Sequence, residues 1–203
     1  LKPFLEGRKD LRAWRAESRR LFLVYAYHGV EIQKYPAVLE HLKPHRKALE
    51  RRATSANHEW YELQQPQMAY KEHFEKPKLV WPELSEAPTF SVQPSGTYFN
   101  NKVYFVPGGD SYLLAVLASP PLWLFLTGIA REMRGGYFEL FSQVVEKLPI
   151  PPRGSPDATR AANLAKRISD SGGTDSDALE HLASTTCRLF GLTADEERLL
   201  HDR

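Results

Sequence analysis

Apolar residues crowd the stretch from Tyr112 to Ala130, and a basic glycine turn follows at once, carrying Arg131, Arg134, Gly135 and Gly136. Lys147-Leu148-Pro149-Ile150-Pro151 then ends the block. This order predicts a helical hairpin, a turn, a short amphipathic segment from Val144 to Leu148 and a stop at Pro149. Pro120-Pro121 divides the apolar run. Neither half reaches the roughly 18–20 residues needed to cross a bilayer. The reading is two buried helices with a tight bend and no membrane partner.

Elsewhere the pattern is shorter-ranged. Leu21 to Tyr27 is β-branched and aromatic and predicts a strand. Pro36 opens a helix whose apolar face is Val38, Leu39, Leu42 and Leu49, ending near Arg51-Arg52, with Pro44 placed to kink it. Short strands are expected at Lys78 to Trp81, Thr89 to Val92 and Lys102 to Val106. Pro94-Ser95-Gly96 and Pro107-Gly108-Gly109 supply turns between and after them. Arg153-Gly154-Ser155-Pro156 marks a boundary, followed by helical patterns at about 157–169, 175–190 and 194–202. The fold class expected is therefore α+β. A small mixed sheet with a helical hairpin forms a domain over residues 1–152. A short helical C-terminal extension covers 153–203, placed to fold back on that domain or to meet a partner.

Charge changes the picture more than composition does. The net charge is only +2, but residues 1–53 carry 13 Lys/Arg against 6 Asp/Glu. Residues 54–150 carry 7 against 10, and residues 151–203 carry 7 against 9. A basic N-terminal third on a near-neutral chain is what a one-sided phosphate-facing surface produces, although a solvated helix face gives the same count. The first ten residues contain no apolar core of a signal peptide. Cys187 is the only cysteine, which rules out an intrachain disulfide and a cysteine zinc site, and fits a reducing cytoplasm. The first residue is Leu1 and not Met, as expected of an excised or processed product.

Catalytic chemistry finds little support in the residues. Ser119-Pro120-Pro121-Leu122 resembles the tetrapeptide with which amino-methyltransferases hold a target amine. Its fourth position lacks the aromatic, and no glycine-rich cofactor loop precedes it. It reads as the hairpin bend. No (Asp/Glu)-x-Lys triplet suggests a metal-dependent nuclease. His41 and His45 stand four apart without a third ligand in evidence. Phosphate-binding loops, nucleophile elbows and dinucleotide fingerprints are absent from the sequence. No catalytic residue, metal or cofactor is expected in this chain.

What remains is a binding module. Its expected contacts are Lys2, Arg8, Lys9, Arg12, Arg51, Arg52, Lys78, Lys102, Arg131 and Arg134. Tyr98, Asn100 and Asn101 join them from a loop before a strand. Arginine pairs bidentately with guanine and asparagine with adenine, and tyrosine stacks or wedges. The set has meaning only if folding gathers these cations on one side as a concave positive wall wide enough for a double helix.

At this point a family fits. The opening Leu1-Lys2-Pro3-Phe4-Leu5-Glu6-Gly7-Arg8-Lys9-Asp10-Leu11 resembles the first block of the TaqI-like C-terminal specificity domain of type IIG restriction–modification and adenine-N6 DNA methyltransferase proteins. Lys9-Asp10 is shifted by one against the usual Arg-Asp-Ile. Tyr35-Pro36 through Arg51-Arg52, then Trp60-Tyr61-Glu62-Leu63 and Lys76-Pro77-Lys78-Leu79-Val80, resemble later blocks. So do Tyr112 to Ser119, with Ala118 at a common Asn position, Gly135-Gly136-Tyr137 and Lys147 to Pro151. The resemblance covers about residues 1–152 and lies in the order of short blocks. It implies duplex DNA as partner and an upstream methyltransferase domain in the same polypeptide. S-adenosylmethionine, and Mg2+ if the parent cleaves, would then belong to the parent. The rival reading is a protein-interaction module that docks a partner subunit without binding DNA.

Overall fold

The computed structural model of the protein describes residues 1–201. Strand β1 (Lys2–Leu5) opens the chain and leads into α1 (Gly7–Asp10), a single helical turn. Strand β2 (Leu21–Leu23) pairs antiparallel with β1, Pro3 facing Phe22. The expected strand extended to Tyr27, but pairing stops at Leu23. The Ala26 amide donates to the Val24 carbonyl at 2.9 Å, a tight turn that takes the chain out of the ladder.

Helix α2 (Pro36–Leu42) carries Pro36 in its first turn, where the missing N–H costs nothing. Pro44 then divides the single helix expected from sequence. Lys43–His45 is a 3-10 turn and α3 (Arg46–Leu49) resumes beyond it. Helix α4 (Lys71–Phe74) precedes β3 (Lys78–Pro82), β4 (Leu84–Ser85), β5 (Ser91–Gln93), β6 (Tyr98–Phe99) and β7 (Val103–Pro107). All five residues of β3 are buried because the strand separates two cores. Leu79 and Trp81 face the larger one, while Val80 faces the smaller one with Leu5, Leu11 and Val103. Alternating sides along one strand thus serve two apolar layers.

Gly109 lies hard against β3. A Cβ there would sit 2.4 Å from the Leu79 Cβ and 2.7 Å from its backbone nitrogen, so this approach requires glycine. Helices α5 (Ser111–Leu117) and α6 (Pro120–Ile129) form the expected hairpin, bent by 60° at Ala118-Ser119. Asp110 caps α5 by accepting from the Leu113 amide at 2.9 Å. No single described helix is long and apolar enough to cross a membrane, and Leu114 to Leu117 are buried in the larger core.

Strands β8 (Glu132–Met133) and β9 (Tyr137–Glu139) flank a three-residue loop, and α7 (Ser142–Val145) follows. Gly135 and Gly136 take φ of +88° and +77°, left-handed values that make the reversal. Helices α8 (Pro156–Asp170), α9 (Ser176–Leu189) and α10 (Ala194–His201) complete the described chain.

The fold is α+β. In place of one small mixed sheet, the described residues form three three-stranded sheets, in the orders β2-β1-β6, β5-β3-β7 and β4-β9-β8. Only the first is mixed, β1 running parallel to β6. The C-terminal helices pack back on the hairpin. Ala161, Leu164, Ala165 and Ile168 of α8 and Ala178 and Leu182 of α9 share one core with α5. Tyr112 donates its hydroxyl proton to the Pro151 carbonyl at 2.7 Å, which fixes the proline-rich segment to the hairpin.

Candidate functional site

An open cleft of about 830 Å3 is built from four distant stretches of chain. Its lining comes from residues 6–9 and 11–13, residues 82–87 with Thr89, Asn100 and Lys102 between β6 and β7, and Tyr137 of β9. Two features fix the first of these stretches. Gly7 packs against Lys102 so closely that a Cβ would lie 3.2 Å from the Lys102 Cβ. Asp10, fully buried, accepts from the Arg19 Nε at 2.6 Å and from the Glu6 amide at 2.6 Å. The Arg19 guanidinium, ahead of the Glu6 amide, holds the Asp10 carboxyl below the usual carboxylate range.

Arg8 is exposed in this cleft. Its guanidinium carbon lies 4.5 Å from the centre of the Tyr137 ring, and it makes no ion pair with a described residue. A guanidinium lying on an aromatic face keeps its donors directed outward. Lys9 is exposed and pairs with Glu6 at 3.1 Å. Arg12 donates to the carbonyls of Arg8 at 2.9 Å and Leu11 at 2.8 Å, closing α1, and pairs with Glu17 at 3.1 Å. Lys102 pairs with Glu83 at 2.7 Å, and that hydrogen bond holds its ammonium above the ordinary lysine range. Asn100 accepts from the Lys102 amide at 3.2 Å, and Asn101 is exposed beside it. Arg134 is exposed in the β8–β9 loop, and Arg131 lies 3.9 Å from Glu139.

The structure thus gathers Arg8, Lys9, Arg12, Asn100 and Lys102 in one cleft and leaves others elsewhere. Lys78 is 0% exposed, and its ammonium donates to the carbonyls of Phe74 at 2.7 Å, Pro94 at 3.3 Å and Thr97 at 3.4 Å. Burial pulls its pKa down to about 8. It fastens the loop after α4 to the 94–97 turn and cannot touch a ligand in the native fold. Tyr98 is 2% exposed, stacked on Phe74 at 4.6 Å, with its hydroxyl donating to Glu75 at 2.8 Å; it too is core. Arg52 donates to the carbonyls of Leu49, Trp60 and Glu62, binding the 60–62 segment to the end of α3. Lys2 pairs with Glu75 at 2.6 Å in a separate aromatic hollow of about 290 Å3, and Arg51 lines neither concavity.

The wall is also less uniformly positive than expected. Glu6, Glu83 and Glu86 line the cleft beside its four cations. Sequence reasoning selected cations and loop asparagines, so it passed over Tyr137, Glu83 and Glu86. The adjacency of Tyr137 to Gly135-Gly136 was the only signal that could have found it. Among the described residues no group of three or more His, Cys, Asp or Glu is placed to hold a metal ion.

Comparison with known proteins finds similarity to a family model, to a curated protein and to solved structures. The family model described as the TaqI-like C-terminal specificity domain matches residues 24–150. The type II methyltransferase M.BanIII of Aneurinibacillus aneurinilyticus is 29% identical over 80 residues, 38% of this chain and 13% of that protein. The type IIL restriction–modification enzyme MmeI, solved in complex with DNA, superposes with a TM-score of 0.63 at 14% identity. That match covers 95% of this chain and 28% of the MmeI chain, and at this identity the likeness is one of fold. The chain therefore spans a small part of the proteins it matches.

Proposed function

The chain belongs to the family of TaqI-like C-terminal specificity domains, and we propose that it reads duplex DNA for a larger methyltransferase or restriction–modification polypeptide. The observation that carries this reading is the cleft, where residues 6–13, 82–89, 100–102 and 137 converge although the sequence scatters them. Arg8, Lys9 and Lys102 on its walls suit phosphate oxygens, which supply affinity and salt dependence. Asn100, Asn101 and Arg134 present donor and acceptor groups suited to base edges. The MmeI structure, which holds DNA, supports the choice of ligand.

The parent is proposed to be an adenine-N6 methyltransferase with endonuclease activity as a further option. Catalysis and S-adenosylmethionine, with Mg2+ for cleavage, would belong to its other domains, and this chain itself would transfer nothing. Its place of work would be the cytoplasm, with the DNA.

The test is a titration of the chain with random-sequence duplex from low to physiological salt. Binding whose log K falls linearly with log salt is expected. No binding at low salt sinks the proposal. A second reading, a docking module without DNA affinity, draws on the exposed Leu124, Phe125 and Ile129 of α6. A salt-insensitive complex with another protein, together with no duplex binding, would favour it.

A further inference from the structure

The acids of the cleft need an account. A duplex offers phosphates to the surface that holds it, and a carboxylate facing phosphate is repelled. Glu6 and Glu83 are neutralised, by Lys9 and Arg19 and by Lys102 respectively. Glu86 is exposed, lines the same cleft and has no hydrogen-bond or ion-pair partner among the described residues.

Its loop is nonetheless held firmly. Ser85, 4% exposed, donates its hydroxyl proton to the Ala87 carbonyl at 2.7 Å, and its oxygen lies 2.8 Å from the Thr89 hydroxyl. Thr89 in turn donates to the Ala87 carbonyl at 3.2 Å. Strand β4 sets the loop against β9, Leu84 facing Glu139 and Ser85 facing Phe138. The next position along β9 is Tyr137, on which Arg8 lies. A carboxylate from the loop after β4 and a guanidinium from α1 therefore line the same cleft, and among the described residues they do not neutralise one another.

On a DNA-facing wall the counterpart of a free carboxylate is an exocyclic amino group, and in the major groove glutamate accepts from cytosine N4. We infer that Glu86 is a specificity-determining residue that selects a cytosine, in the cleft that Arg8 also lines. This inference rests on the reading of the cleft as a DNA site.

Selection of binding sites from a random duplex library by the 203-residue chain tests it. The unsubstituted chain should enrich a motif containing a cytosine that Glu86→Ala no longer prefers. The loss in discrimination should be on the order of 10- to 100-fold at that position, with the others unchanged. Glu86→Gln keeps the shape, and glutamine pairs with adenine, so the same position should turn to adenine. An unchanged motif in both variants overturns the inference, as does a uniform gain in affinity for all duplexes, which would make the carboxylate merely repulsive. Duplex binding without any preference also overturns it while leaving the DNA reading intact. Absence of duplex binding by the unsubstituted chain removes both.

Discussion

The guanidinium of Arg8 rests on the ring of Tyr137, 4.5 Å from its centre, across 129 residues of sequence. This contact joins the one-turn helix α1 to the β8–β9 hairpin and leaves a cation lining the cleft with no carboxylate among the described residues to neutralise it. Replacing Arg8 by Ala should weaken binding to every duplex alike and lower the slope of log K against log salt by about one. Tyr137→Leu should give a smaller loss of the same kind, since the cation remains but is no longer held flat. Fluorescence titrations at four salt concentrations measure both, and an unaltered slope in Arg8→Ala would refute the assigned role.

Lys78 supplies a prediction of the opposite kind. Its buried ammonium has a pKa lowered to about 8, below the ordinary 10.5. Between those values the unfolded chain binds more protons than the native one, so this group makes stability rise with pH from about 8 to 10.5. Urea melts across that window should show the rise, and Lys78→Met should abolish it. The variant should also be less stable at pH 7 by roughly 1–3 kcal/mol, because carbonyls of Phe74, Pro94 and Thr97 lose their donor. Where it stays folded, its affinity for duplex should be unchanged.

Asp10 behaves as a depressed acid should. Its carboxyl lies below the ordinary value of 3.8 because Arg19 and the Glu6 amide favour the charged form. The stabilisation is present in full above that ordinary value and is lost as pH falls through the lower native one. Asp10→Ala should cost about 2–4 kcal/mol at pH 7, by stripping the Glu6 amide and Arg19 of their acceptor. Its stability deficit against the unsubstituted chain should shrink below pH 4. A deficit independent of pH would show that the ion pair contributes nothing.

The C-terminal helices invite truncation. Ending the chain at residue 152 would uncover the face of α5 that packs on Ala161, Leu164, Ala165 and Ile168. The shortened chain should lose cooperative thermal unfolding and bind a hydrophobic dye. A sharp transition at an unchanged midpoint would mean that residues 1–152 fold alone.

Local patterns were sufficient for whatever depends on neighbours in sequence. The proline-split hairpin, the strand at Lys78, the turns at Gly96 and Gly108 and the three C-terminal helices follow from periodicity, caps and turn chemistry, all short-range effects. The order of short blocks also pointed to the family that residues 24–150 match. Strand β2 is shorter than its residue preferences predict, because a tight turn at Ala26 ends pairing that those preferences alone would extend to Tyr27.

Which side chains face outward was a different matter. Lys78 and Tyr98 carry the residue types of a DNA-binding surface, yet folding buries both, one on three carbonyls and the other between Phe74 and Tyr25. Glu86 and Tyr137 look ordinary in sequence and become cleft residues because β4 pairs with β9 across more than fifty positions. Composition sets how much charge the chain carries. Long-range strand pairing decides which charges meet, since burial and proximity are properties of the packed chain and have no local signature.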